Sequence, residues 1–444
     1  MDREGDRITD LYNARFDDNL QRIRENDPGA THLVGIGADD FFLHEKTDEY
    51  WEKLGRDIAN NDYLERLPLD RGDFDDQKMS FFFRGLTGSN SIKKLALHQN
   101  RFSSAGIRSM VPFLQNANSL KQLILYSNNI QSEGFNLVFR ALRDSPIEQL
   151  DCNFCGIQSI EIDSENAPKQ LNLLSLNGNR INAEGCRELT KLLRGRDPAL
   201  TRLYLGDNRI GDEGVDILVN TLKTNTSLMT LNVTDNAGLS DQGKVMLLKL
   251  VNNISSIEAT LQSNHTLESL SVDVSFNRVD EIQRHIDMAT KINKVARNNV
   301  SSESVEDAGR SKMIQTQLNS AKRTDLSRLQ GVSHSVYSEI DPLHLPEVLS
   351  LIGRYHSYGD FHLALLASIM AMLSTVNMKG HTKQDIQQQQ DRTYHATTIA
   401  GHQAEVTVAE HGIEMEELDG KLSSSGGSSD GKNDNECSNK RRRK

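Results

Sequence analysis

Leucines recur along much of this chain with two interleaved spacings, and asparagine returns at a fixed distance after them. The pattern LxxLxLxxNxI is read as IKKLALHQNRF from Ile92, LKQLILYSNNI from Leu120, LNLLSLNGNRI from Leu171 and LTRLYLGDNRI from Leu200. IEQLDCNFCGI from Ile147 is the same unit with cysteines in two of its slots, and LERLPLDRGDF from Leu64 and LMTLNVTDN from Leu228 match more loosely. The seven starts, 64, 92, 120, 147, 171, 200 and 228, define a near-constant period, the signature of a solenoid. Within LxL the leucines alternate, as on a strand with one buried face.

The second half of each unit switches to a helical period. Gly106, Gly134, Gly185 and Gly214 stand fourteen residues past the unit start, and apolar pairs follow at a spacing of four. These are Met110 and Leu114, Val138 and Leu142, Leu189 and Leu193, and Leu218 and Leu222; Phe82 and Leu86 take the same places in the first unit. Residues four apart share a helix face. Each unit is therefore a short strand, a turn and a helix folded back over it, which buries its leucines only when stacked. Two units depart from this. The fourth runs IQSIEIDSENAPKQ where the helix belongs, which predicts an extended segment. The seventh is lengthened by SSIEATLQSNHT, which predicts an additional helical turn or two before a last strand from Leu267.

The repeats resemble the ribonuclease-inhibitor class of leucine-rich repeats, which implies an α/β solenoid, a curved horseshoe with its helices on the convex side. The resemblance also implies that the ladder residues Asn100, Asn128, Asn179, Asn208 and Asn236 line the turns and satisfy buried backbone groups. Cys155 falls in that slot, so the Cys152–Cys155 CxxC is read as structural rather than as a redox pair or half a zinc site. Over about residues 50–377 the chain is similar to an expanded group of algal, diatom-like leucine-rich-repeat proteins through phrases such as FFFRGLTGSNSIKKL and LLKLVNNISSIEATLQSNHTL. That similarity brings no activity with it.

Around the array of 64–280 the reading places a loose polar N-terminus (1–30) and an N-terminal cap (31–63) with Trp51, Leu54 and Ile58 on one helical stripe. A C-terminal helical region (281–377) and a disordered tail (378–444) follow. HLPEVLSLIGRY faintly resembles the opening of an F-box, which would imply a ubiquitin-ligase adaptor. The tail contains the run Gln387 to Gln390 and ends in Lys440, Arg441, Arg442, Arg443 and Lys444, a cluster that nuclear-import machinery could read or that could touch phosphates weakly.

Composition changes this picture only by exclusion. The net charge is −11, with the acidity concentrated in the first ninety or so residues, so a broad nucleic-acid-binding surface is not indicated. Four cysteines make no disulfide framework, and the charged N-terminus lacks a secretory pattern, which points to the cytoplasm or nucleus. Arg71-Gly72-Asp73 and the sequons at Asn225, Asn253 and Asn264 are accordingly set aside. The longest apolar run, Leu363 to Val376, is shorter than the ~20 residues a membrane helix needs.

No catalytic, cofactor-binding or metal-ligand constellation emerges. What remains is the concave face, where residues between the inward leucines project. The candidates for contact with a protein or peptide are Lys94, His98, Ile124, Tyr126, Asp151, Asn153, Phe154, Arg202, Tyr204 and Asn232. The leading expectation is a non-enzymatic, monomeric interaction scaffold. The alternative is a regulator of a small GTPase, like the Ran-activating proteins of the same repeat class, with Arg101, Arg180 or Arg209 in the turn loops offered to the partner.

Overall fold

The computed structural model describes residues 14–34, 46–163, 167–194, 198–255, 257–273 and 281–298, together with Lys312 and Gln330. All of these belong to one compact unit, Met1–Ser338. The F-box-like segment, most of the expected C-terminal helical region beyond residue 298, the glutamine run and the basic end Lys440–Lys444 lie outside the described residues.

Eight three-residue strands form a single parallel sheet whose order follows the chain: β1 (Arg66–Pro68), β2 (Lys94–Ala96), β3 (Gln122–Ile124), β4 (Gln149–Asp151), β5 (Leu173–Ser175), β6 (Arg202–Tyr204), β7 (Thr230–Asn232) and β8 (Ser269–Ser271). The register puts the second leucine of every unit in one row: Leu67, Leu95, Leu123, Leu150, Leu174, Leu203, Leu231 and Leu270. All eight are buried, each worth about 1.5–3 kcal/mol relative to exposure. No unit could hide its leucine alone, so stacking and folding are one event.

Helices cover one face of this sheet. They are α1 (14–24), α2 (Asp48–Ala59), α3 (Asp76–Leu86), α4 (Ser104–Asn116), α5 (Gln131–Ala141), α6 (Ala183–Leu193), α7 (Gly211–Leu222), α8 (Asp241–Val251), the short α9 (Ile257–Leu261) and α10 (Glu281–Asn298). Their starts are locally encoded: Thr47, Asp75, Ser103, Asn182 and Ser240 each accept a hydrogen bond from an amide of the first turn. Neighbouring units reinforce the caps. The Asp76 carboxylate on α3 accepts from Ser103 N, Ser103 Oγ and Gly106 N at the start of α4, and Asp212 on α7 does the same for Ser240 at the start of α8.

The fourth unit has no helix among its described residues. Residues 156–163 after β4 are neither helix nor strand, with Ile160 and Ile162 buried. The period-2 spacing of those isoleucines suits an extended segment, and its backbone groups are met by side chains of the flanking helices. Ser132 Oγ accepts from Gln158 N and Ser159 N, Asn136 Oδ1 from Glu161 N and Glu188 Oε2 from Ile162 N, while Lys191 Nζ donates to Ile162 O. The borrowed partners fulfil the requirement that buried backbone polar groups be paired.

Both ends of the array differ from the sequence reading. Residues 14–24, expected to belong to a loose N-terminus reaching residue 30, form α1, which buries Phe16, Leu20 and Ile23, three positions on one helical stripe. The stretch after it pairs with β1 through a parallel bridge between His32 and Arg66, so the sheet edge is covered. Cap helix α2 buries Trp51, Leu54 and Ile58 and crosses α3 with a glycine on each side. A Cβ on Gly55 would stand 2.2 Å from Phe82 O, and one on Gly85 would stand 2.1 Å from Glu52 O.

At the other end the array does not stop at residue 280. Helix α10 packs against α8 and β8, buries Ile282, Ile286 and Ala289, and so serves as the helix of the eighth unit. Its Gln283 accepts from Val272 N and Asp273 N and donates to Leu270 O, while Asn293 donates to Leu267 O and Asn264 O. Beyond it, buried Lys312 donates to Val251 O and Asn264 O, and Gln330 bonds Ile254 N and Asn252 O, bringing later chain back onto the α8–α9 region.

Candidate functional site

The asparagines first have to be separated from the site, because their job is structural. Asn179 donates to Cys152 O at 3.0 Å and Leu176 O at 2.9 Å and accepts from Cys155 N and Ile157 N, both at 3.0 Å. Asn100, Asn128, Asn208 and Asn236 repeat the scheme, each donating to a carbonyl of its own unit and one of the unit before. Cys155 stands in the same row, its thiol donating to Leu125 O and Asn153 O at 3.4 Å. Burial pushes the Cys152 thiol pKa well above the ordinary cysteine value, so neither redox chemistry nor metal binding is favoured at the CxxC. Among the described residues no group of three or more His, Cys, Asp and Glu side chains could hold a metal ion.

One residue ahead of each ladder position the turn takes a left-handed backbone. Arg71, Gln99, Ser127, Phe154, Gly178, Asp207 and Asp235 have φ between 52° and 66°. Ser, Asp and Gly suit such a turn; phenylalanine does not, since a bulky residue at positive φ costs roughly 1–2 kcal/mol. Phe154 is nevertheless there, 50% exposed. Its ring lies over Gly178, where a Cβ would come within 2.3 Å of the ring carbons, and meets Tyr126 edge-to-face at 5.7 Å. Tyr126 in turn stands 6.2 Å from the His98 ring, and His98 Nδ1 is 2.7 Å from Asp70 Oδ1. Four successive units thus place Asp70, His98, Tyr126 and Phe154 in a row along the helix-free, concave face.

Next to this row lies a shallow pocket of about 290 Å3 over β3 to β6. Ile124, Leu173 and Tyr204 supply its apolar walls; Gln122, Gln149, Ser175 and Asn177 are polar, and Asp151 brings a carboxylate. Gln122 Nε2 donates to Gln149 Oε1 at 3.0 Å, fixing one rim. Burial raises the pKa of Asp151, against the opposing pull of the Asn153 amide, which donates to it at 3.0 Å, and of the His98 charge. Asp70 is raised in the same way, with its imidazole partner pulling the other way.

The structure brings Ile124, Asp151 and Tyr204 of the sequence-derived candidates together in the pocket and aligns His98, Tyr126 and Phe154 beside it. It does not bring the others in. Lys94 and Arg202 sit in the outer row of strand residues, where Arg202 donates to Asn172 Oδ1 at 3.0 Å. The carboxamide oxygens of Asn153 and Asn232 are used within the array, the first by Ser175 Oγ and Asn177 N, the second by Thr234 N and Oγ. Sequence reading passed over Asp70, Gln149 and Leu173, although each occupies a strand offset equivalent to residues that were chosen. Of the loop arginines, Arg101 is paired with Asp73, and Arg180 and Arg209 are exposed.

A sheet with one residue row of buried leucines, an asparagine ladder behind it and helices on one face defines a leucine-rich-repeat solenoid. The family model described as "Leucine Rich repeat" matches residues 198–218 and 224–248. No curated protein matches the chain. Among solved structures it is similar to leiomodin-1 actin-binding site 2, at 15% identity, covering 52% of this chain and 84% of that one with a TM-score of 0.22. It is also similar to the C-terminal domain of Caenorhabditis elegans tropomodulin, at 10% identity, 64% and 95% coverage and a TM-score of 0.17. For TLR13 in its complex with ssRNA13 the figures are 16%, 44%, 31% and 0.25. With similarities this low, function has to be read from the residues of this chain. No helix among the described residues is long and apolar enough to cross a membrane.

Proposed function

We propose that the chain is a non-enzymatic interaction scaffold, of the cytoplasm or nucleus, that holds a protein or peptide on its concave face. The observation that carries this reading is Phe154: an exposed aromatic ring kept in a left-handed turn where small or polar residues serve in most other units. Backbone strain retained at an exposed position is a pointer from an outlier to function. Together with Tyr126, Ile124 and Tyr204 it forms the kind of aromatic patch that supplies binding hot spots. The repeat length and the convex helices favour the ribonuclease-inhibitor type within the repeat class, and the shared phrases favour kinship with the algal group.

The test is a quantitative affinity capture with the intact chain and with a Tyr126→Ala, Phe154→Ala, Tyr204→Ala variant shown by circular dichroism to be folded. A partner enriched by the first and lost by the second supports the concave face. Identical captures would move attention to the chain beyond α10.

A further inference from the structure

The two half-buried carboxylates of the concave face are treated differently. Asp70 has its own imidazole partner, His98, whose Nδ1 lies 2.7 Å from its Oδ1. Asp151 accepts from one backbone amide, and among the described residues no Lys, Arg or His forms an ion pair with it. His98 is the one basic group whose charge acts on Asp151, and it is paired with Asp70; Lys94 and Arg202 lie two strands away on either side in the outer row, with uncharged Gln122, Gln149 and Leu173 between them. At about 4.8 Å per strand that is roughly 10 Å, a weak interaction near a solvated surface. The pocket thus holds a carboxylate in a gap between the cationic side chains of β2 and β6.

An apolar side chain seated in this gap would bury the Asp151 carboxylate with no counter-charge, which is the costly arrangement. A basic side chain removes that cost. Its methylenes would lie along Ile124 and Leu173, its head would meet the carboxylate, and the Tyr204 ring offers a face to a cation. The volume, about 290 Å3, is at or below the ~300–1,000 Å3 of small-molecule sites, and so suits one long side chain rather than a cofactor. We infer that the concave pocket between β3 and β6 receives an arginine or lysine side chain presented by a protein or peptide partner, with Asp151 as its counter-ion. This rests on the concave-face reading above and adds the chemistry of the partner. The upward pull of burial on the Asp151 pKa outweighs the Asn153 amide and the His98 charge, in keeping with a charge that the free protein compensates only in part.

The experiment pans a random-peptide library on the full-length chain and measures enriched peptides by fluorescence anisotropy. Enriched peptides are expected to share an Arg or Lys, and replacing it by an uncharged isostere should weaken binding at least about tenfold, the lower range for a close charge pair. Asp151→Asn should weaken the parent peptide equally and leave the isostere-containing peptide unaffected. Peptides that bind Asp151→Asn like the parent protein overturn the inference. If those peptides still fail on the Tyr126, Phe154, Tyr204 triple variant, concave docking stands and only the charge assignment falls; if they bind the triple variant too, both fall. The chain's own basic end is the rival occupant. Replacing Lys440 to Lys444 by serine in the full-length chain should leave peptide affinity unchanged, and a tenfold rise would overturn the assignment to an external partner.

Discussion

Asn179→Ala isolates what a single ladder rung is worth. The side chain serves five backbone groups, Cys152 O, Leu176 O, Asn177 O, Cys155 N and Ile157 N. Leu176 O keeps a second donor in Asn208 and Asn177 O one in Phe154 N, so truncation orphans three groups rather than five. At about 1–3 kcal/mol for each buried group left unsatisfied, with a water able to enter the space of the lost carboxamide, the lower end applies: about 3 kcal/mol. Cys155→Ala, in the same row, removes only a weak thiol donor and should cost about 1 kcal/mol or less beyond its small transfer term. Urea unfolding followed by far-ultraviolet circular dichroism gives both numbers, and amide exchange at Cys155 and Ile157 shows whether the damage is local. Equal costs for the two variants, or an Asn179→Ala cost under about 1 kcal/mol, would refute the view that side-chain amides hold the turns together.

Phe154→Asn exchanges a ring for a residue that tolerates the left-handed turn, so relief of backbone strain and loss of the Tyr126 and Gly178 contacts should nearly cancel, leaving stability within about 1 kcal/mol of the parent in a urea titration. Partner capture by the same variant should nevertheless fall. Gly55→Ala forces a methyl into the α2–α3 crossing and should cost about 1–3 kcal/mol in thermal unfolding; an unchanged midpoint would show that the helices can part freely. For Asp151 the folded pKa is raised, so the folded state holds its proton to higher pH than the unfolded chain does, and the penalty for its charge is present above the folded pKa and relieved as pH falls through it. Asp151→Asn should therefore raise the melting temperature at neutral pH, with the gain shrinking as the buffer is acidified toward the ordinary aspartate range near 4; a gain that is flat with pH would argue against a titrating carboxylate.

Periodicity carried most of the architecture. Two leucines, one asparagine and a four-residue apolar spacing sufficed for the strands, the ladder and the helices α3 to α8, and the fourth unit's lack of the helical pattern matches the absence of a helix among its described residues. The ends were harder to read. Phe16, Leu20 and Ile23 do make a helical stripe, but it sits among so many charges that the stretch read as solvated. Chain from residue 281 does read as helical, but the strand from Leu267 looks like the end of the array, which puts that chain in a separate C-terminal region; the structure makes α10 the helix of that last unit. At the site, bulky rings drew attention, whereas the pocket depends on which residues the register sets side by side: Gln149 and Leu173 become walls only once β4 and β5 are aligned. The strained turn under Phe154 could have been inferred from the row it shares with Gln99, Ser127 and Asp207, though not from phenylalanine itself.

The missing helix of the fourth unit has a mechanical consequence. Among the described residues no helix stands between α5 and α6, so the convex layer falls into two blocks while the sheet runs on unbroken beneath them. In a linear array each unit is stabilised by its neighbours, and the weakest junction decides where the chain parts first. That seam lies behind β4 and β5, the two strands at the centre of the pocket. A partner laid across β3 to β6 would act as a splint over the softest joint, and its arrival would be felt as stiffening in both halves of the array.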